Sequence, residues 1–141
     1  MPTVLIIEDD ASLRAVIAST FTRMGYRTRV GEDGAAGLAL FATEPADLVI
    51  TDIYMPRMDG IEVIMALRRQ ARVPAIIAMS ESGRGCAPDL LNAATVLGAD
   101  AALRKPLSVS ALLRLGGELL EARATEAARR RGMQFVREAA A

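Results

Sequence analysis

The sequence predicts an α/β fold: a five-stranded parallel sheet in the order 2-1-3-4-5 with helices on both faces. Three observations carry this. Short apolar runs, TVLIIE (3–8), DLVIT (47–51) and PAIIAM (74–79), are continuous rather than alternating, as in strands buried on both faces. Amphipathic stretches separate them and give the alternation βαβαβαβαβα. Parallel strands need crossover connections, and the intervening helices supply them. A length of 141 residues fits one compact domain, and 52% hydrophobic residues suffice for its core.

Each element has a local reason. The run 3–8 is rich in β-branched residues. Asp10 is placed to cap the helix that follows, where Leu13, Val16, Ile17, Thr20, Phe21 and Met24 recur at helical spacing and Gly25 ends the pattern. YRTRV (26–30) alternates and reads as a more exposed strand. Asp33 can cap a helix to about Thr43, and Pro45 breaks the chain before DLVIT. IEVIMALRRQA (61–71) is helical, PAIIAM is the next buried strand, and SESGRGCAP (80–88) is rich in turn formers. DLLNAATVLG (89–98) is a helix stopped by glycine, DAAL (100–103) a weak fifth strand, and Ser108 the cap of a last helix. Gly116 and Gly117 each weaken that helix by about 1 kcal/mol relative to Ala. Gly116 shares a face with Val109, Leu112 and Leu113, and close packing is one reason for it. Residues 122–141, rich in Ala and Arg, read as an extra helix or frayed extension set apart from a domain spanning 1–121.

Composition removes several function classes. Seventeen basic and seventeen acidic residues cancel, leaving no electrostatic footprint for nucleic acid or a membrane surface. From 121 to 141, five arginines stand against three glutamates, a net of +2 that fits a solvated helix face better than a nucleic-acid patch. Met133, Phe135 and Val136 add apolar surface to this tail, for packing back on the domain or for a homodimer contact. No 18-residue apolar run is present, so no spanning helix is expected. With no histidine, His-based triads and His metal sites are excluded. The lone Cys86 reads as an inert loop thiol, and its solitude fits a cytoplasmic location.

Ligands of open α/β sheets bind outside the carboxyl ends of the strands, where the winding reverses. Here those ends carry Glu8-Asp9-Asp10, Asp52, Ser80 and Lys105-Pro106. The predicted strand order brings them to one rim. Crowded carboxylates repel, so one protonates or a cation neutralises them. An all-oxygen donor set suits Mg²⁺, with Mn²⁺ as the alternative ion. A carboxylate can also act as nucleophile toward a phosphoryl group, giving an acyl phosphate. A metal, a lysine and a hydroxyl then hold the charged oxygens. Asp52, carried out of a buried strand into a loop shaped by Pro56 and Gly60, is the candidate phosphoacceptor. Taken alone, Asp52 reads equally as a strand-end turn residue, and the acidic trio as a helix-capping cluster.

Four segments, LIIEDD (5–10), DLVITDIYMPRMDG (47–60), PAIIAMS (74–80) and GADAALRKP (98–106), stand in the order and spacing of a known family. Over about residues 3–121 the chain resembles the receiver domains of two-component response regulators, which have a flavodoxin-like fold. The resemblance implies that Asp52 is phosphorylated, that Asp9 ligates Mg²⁺ directly, and that Glu8 acts mostly through water. It implies that the Tyr54 carbonyl is a further metal ligand and that Ser80 moves to bind the phosphoryl group. Lys105 would contact phosphoryl oxygens, with Pro106 setting its loop. A histidine kinase or histidine phosphotransfer protein would be the donor. The output would be contact with a downstream protein through 89–98, 100–103 and 108–120, with no direct nucleic acid and no membrane.

Three positions depart from the family pattern. Ala102 stands where receivers usually carry an aromatic that swings inward with the hydroxyl residue. Glu81 follows Ser80 where a small residue is usual. Tyr54 is bulky for a position that, with Ser82, often tunes dephosphorylation. Other classes remain open at this point: a phosphorylation-independent receiver-like binding module, the receiver portion of a longer regulator, and a metal-dependent phosphatase. The last normally wants an acid two residues past its nucleophile, where this chain has Tyr54.

Overall fold

A computed structural model describes residues 1–55, 58–81 and 89–140 of the chain. The expectations for Pro56, Ser82 and Cys86, and for the side chains of Phe135, Val136 and Arg137, lie outside the described residues. The elements run β1 (Thr3–Ile7), α1 (Ala11–Arg23), β2 (Arg27–Gly31), α2 (Gly34–Thr43), β3 (Leu48–Asp52), α3 (Gly60–Arg68), β4 (Ala75–Glu81), α4 (Asp89–Leu97), β5 (Ala101–Lys105) and α5 (Val109–Ala140). The strands form one parallel sheet in the order β2-β1-β3-β4-β5, as the alternation predicts.

Side chains alternate across the sheet. Leu5, Ile7, Val49, Ile53 and Ile76 pack on one side with Phe41 of α2, Val63, Ile64 and Leu67 of α3, and Ala94 of α4. Val4, Ile6, Leu48, Ile50 and Ile77 pack on the other with Ile17 and Phe21 of α1 and Leu112 and Leu120 of α5. The continuous apolar runs are thus buried on both faces. β2 is the exposed edge strand expected from its alternation.

The helix caps follow the sequence. The Asp10 side chain accepts from the Ser12 and Leu13 amides, Asp33 from Ala36, and Ser108 Oγ from Ala111. Of the residues at helical spacing in α1, Val16 and Met24 are 50% and 63% exposed, so the buried stripe is narrower than expected. Three boundaries also differ. α3 stops at Arg68, three residues early. β4 and β5 run two residues longer than their apolar cores, to Glu81 and Lys105, because the ladder continues through the polar pairs Ser80–Arg104 and Glu81–Lys105.

α5 is the longest element: one helix of 32 residues continues without interruption into the stretch expected as an extra helix or frayed extension. Gly116 explains how its first half seats. A Cβ there would meet Leu48 Cδ2 at 3.0 Å and Phe21 Cε1 at 3.1 Å. The glycine's cost in helix propensity is offset by the close approach of α5 to the core. Among the described residues, no helix is long and apolar enough to cross a membrane.

Candidate functional site

The parallel sheet delivers the sequence-singled residues to one rim. Glu8 follows the last residue of β1, its amide donating to the Gly31 carbonyl at 3.1 Å. Its own carbonyl accepts from Arg14 Nη1 at 2.8 Å. Asp52 is the last residue of β3, beside Met79 of β4, and the ladder runs one step further through the Ile53 amide and Met79 carbonyl at 2.8 Å. α3 starts so close behind that a Cβ on Gly60 would collide with the Asp52 carbonyl oxygen. The Gly60 amide donates back to the Ile53 carbonyl at 2.8 Å. Gly60 therefore lets the helix fold directly under the acid.

The side chains converge across three strands. Lys105 Nζ, at the end of β5, donates to Glu8 Oε1 at 2.7 Å and to Asp52 Oδ2 at 3.3 Å. Asp52 Oδ1 accepts from the Tyr54 amide at 3.3 Å. Glu8 is fully buried and Asp52 is 4% exposed, whereas Asp9 faces solvent. One carboxylate oxygen from each of Glu8, Asp9 and Asp52 lies within 4.8 Å of the others. Ser80 is buried at the end of β4, its hydroxyl making only a long 3.4 Å approach to the Glu81 carbonyl. Lys105 is joined to Pro106 by a cis peptide bond.

Burial sets the protonation balance. It pushes Glu8 up to about 7; the hydrogen bond from Lys105 opposes this and the Asp52 charge adds to it. Near neutral pH this carboxyl is therefore held between its two forms. Burial raises Asp52 as well, against the pull of the Lys105 charge. Burial by itself would lower Lys105, but its bonds and charges with Glu8 and Asp52 together raise it. Two buried carboxylates share one ammonium, so the site is short of positive charge.

That shortage has an atomic address. Glu8 Oε2 is buried with no hydrogen-bond partner among the described residues. An orphaned buried carboxylate oxygen beside two further carboxylates, all hard oxygen donors, fits Mg²⁺ or Mn²⁺.

The three positions that depart from the family pattern also have places. Tyr54 is 39% exposed two residues past Asp52. Glu81 is half-buried at the end of β4, in register with Lys105. Ala102 pairs with Ala78 in the sheet and packs against the apolar cluster under α2, α3 and α4. Sequence reasoning missed Arg14, which holds the Glu8 carbonyl; an arginine one turn into a helix carries no signal of that bond.

Comparisons with known proteins identify the family and the fold. Residues 4–115 match the family model described as the response regulator receiver domain. The chain is 37% identical over 111 residues to the transcriptional activator protein PfeR of Pseudomonas aeruginosa, covering 79% of this chain and 35% of that protein. It is 35% identical over 125 residues to the sensory transduction protein RegX3 of Mycobacterium bovis, covering 84% of this chain and 53% of that one. The chain thus spans between about a third and a half of the length of these relatives. Among solved structures, the receiver domain of the Francisella response regulator 1452 superposes with a TM-score of 0.78 at 28% identity, over 87% of this chain and 99% of that one. Chemotaxis protein CheY4 of Vibrio cholerae superposes with a TM-score of 0.76 at 27% identity, over 84% and 98% of the two chains. With the match running from β1 into α5 and taking in every residue of the rim, this chain belongs to the receiver domain family of two-component response regulators.

Proposed function

We propose that the chain is a phosphoacceptor switch in a two-component phosphorelay, taking a phosphoryl group onto Asp52. One observation carries the reading: Lys105 Nζ lies between Glu8 and Asp52 at the mouth of the sheet, with an acidic oxygen to spare. Asp9, Asp52 and the Tyr54 carbonyl would hold Mg²⁺ or Mn²⁺, with Glu8 acting through water. The ion would supply charge neutralisation for the carboxylates and for the phosphoryl oxygens.

The chain's own residues divide the remaining work. An Asp52 carboxylate oxygen attacks the phosphorus of a phosphohistidine on a kinase or phosphotransfer protein. The new O–P bond forms as the P–N bond breaks, and the imidazole leaves with the electron pair. The rigid strand end and the Tyr54 amide fix the attacking carboxylate. Lys105 Nζ and the Ser80 hydroxyl are the donors placed to hold phosphoryl oxygens once Asp52 carries them. The added charge would bias the rim toward a second arrangement and change contacts with a downstream protein. A chain with equal numbers of acids and bases gives no reason to add direct nucleic-acid binding.

The test is intact-mass measurement after incubation with acetyl phosphate or phosphoramidate and Mg²⁺. The expected result is the mass gain of one phosphoryl group, dependent on the metal and lost in Asp52→Asn. Wild-type protein without the gain overturns the reading in favour of a phosphorylation-independent binding module, for which Ala102 and Glu81 are the supporting features.

A further inference from the structure

The second half of α5 has a face that nothing among the described residues covers. Leu120 is buried, and Arg123 Nη1 donates to the Val73 carbonyl, which fixes the inward side of the helix. Positions 118, 121, 125, 129 and 132 recur at helical spacing on the opposite side. Glu118, Glu121, Thr125, Arg129 and Gly132 are all exposed there. None of the three charged residues forms an ion pair among the described residues. From Ala124 to Met133 every residue is exposed. A stretch of helix with no packed face draws little stability from tertiary structure.

The nearest charges on the face are opposite in sign to either side of its centre. Glu121 and Arg129 lie four residues to either side of Thr125, and Glu118 and Gly132 lie seven to either side. The first half of the face is acidic and the second basic. Parallel pairing in register would set Glu118 and Glu121 against themselves. Antiparallel pairing sets acid against base twice, as a two-fold interface requires. Gly132 adds an independent observation. A Cβ there meets nothing within 4 Å, so no contact among the described residues accounts for a glycine in mid-helix. At Gly116 such a contact exists.

We propose that this face is a contact between two copies of the chain, packed antiparallel about Thr125, with Glu121 of each opposite Arg129 of the other and Glu118 lying over Gly132. Thr125, flanked by Ala122 and Ala128, lets the helices approach closely at the centre. The rims with Asp52 then lie outside the contact and stay open to their own partners.

Sedimentation velocity of the full chain, from low micromolar to sub-millimolar concentration, tests this. The expected result is a dimer that weakens with added salt. Glu121→Arg and Arg129→Glu should each raise the dissociation constant about tenfold, since two symmetric ion pairs become two repulsions. The double charge swap should return it close to wild type, which simple loss of helix would not do. In a Cys86→Ser background, Thr125→Cys should cross-link as a dimer and Glu118→Cys should not. A monomer at every concentration, or single reversals without effect, overturns the proposal and leaves the face to a different protein. Cross-linking of Glu118→Cys to itself overturns the antiparallel arrangement.

Discussion

The two ends of the sheet carry the same residue types and use them in opposite ways. At the end where strands begin, Asp47 accepts from the Thr3 amide at 2.9 Å and from Arg72 Nη2 at 3.0 Å. Asp100 accepts from the Ile76 amide at 2.8 Å. These acids tie down strand starts, and their charges face Arg72 and the half-buried Arg123. At the end where strands finish, Glu8 and Asp52 are more deeply buried, share one lysine, and leave Glu8 Oε2 without a hydrogen-bond partner among the described residues. The acids of the first end are satisfied from within the chain, although Arg123 Nε is buried there without a hydrogen-bond partner among the described residues. The second end keeps a buried acidic oxygen that a cation would pair, which supports the phosphoacceptor role proposed for it.

The largest effect should come from removing the cation that bridges the two buried carboxylates of the finishing end. Lys105→Met strands two buried carboxylates and should cost about 3 kcal/mol in urea unfolding without divalent metal above neutral pH. Added Mg²⁺ should restore part of it. An unchanged midpoint would mean the carboxylates are not short of charge. Next comes the satisfied end. Asp47→Ala removes a main-chain bond and an ion pair and should cost about 2 kcal/mol, with no dependence on Mg²⁺. A metal-dependent loss there would erase the contrast between the ends.

A smaller effect of opposite sign is expected from Asp52→Asn. The neutral amide keeps the shape and relieves crowding with Glu8. Metal-free protein should gain about 1 kcal/mol or less, roughly 3 °C in Tm, while its response to Mg²⁺ collapses. A variant that still gains stability from Mg²⁺ as wild type does would place the ion elsewhere.

The same contrast shows what could be read from sequence. The finishing end was legible because its acids interrupt continuous apolar runs: Asp52 after LVIT and Glu8 after VLII have few reasons to sit there. Strand order turned their sequence separation into proximity. The starting end was not legible. Asp47 and Asp100 look like ordinary loop acids, and their partners are amides far along the chain, Thr3 and Ile76. The unbroken join of α5 to the extension past 121 was hidden for a related reason. Its inward anchor is Arg123 on the Val73 carbonyl, a contact with no apolar periodicity to announce it. Lys105 closing β5 was likewise invisible, because pairing with Glu81 rather than hydrophobicity extends that strand.

The finest test concerns how long the finishing end keeps its charge. Tyr54 contributes two separable things. Its amide holds Asp52 Oδ1, and its ring adds bulk, 39% exposed, two residues past the acceptor. Tyr54→Ala keeps the first and deletes the second. Hydrolysis of an acyl phosphate needs a water in line with the O–P bond, and a neighbouring ring occupies space that such a water would use. Removing it should shorten the phosphoryl-Asp52 lifetime about threefold, a barrier change of roughly 0.6 kcal/mol. The measurement is decay of the phosphorylated mass after the donor is removed, with Tyr54→Phe as the control that keeps the ring. Equal lifetimes in wild type and Tyr54→Ala would show that the ring shields nothing. A fall in both variants would give the shielding to the hydroxyl instead.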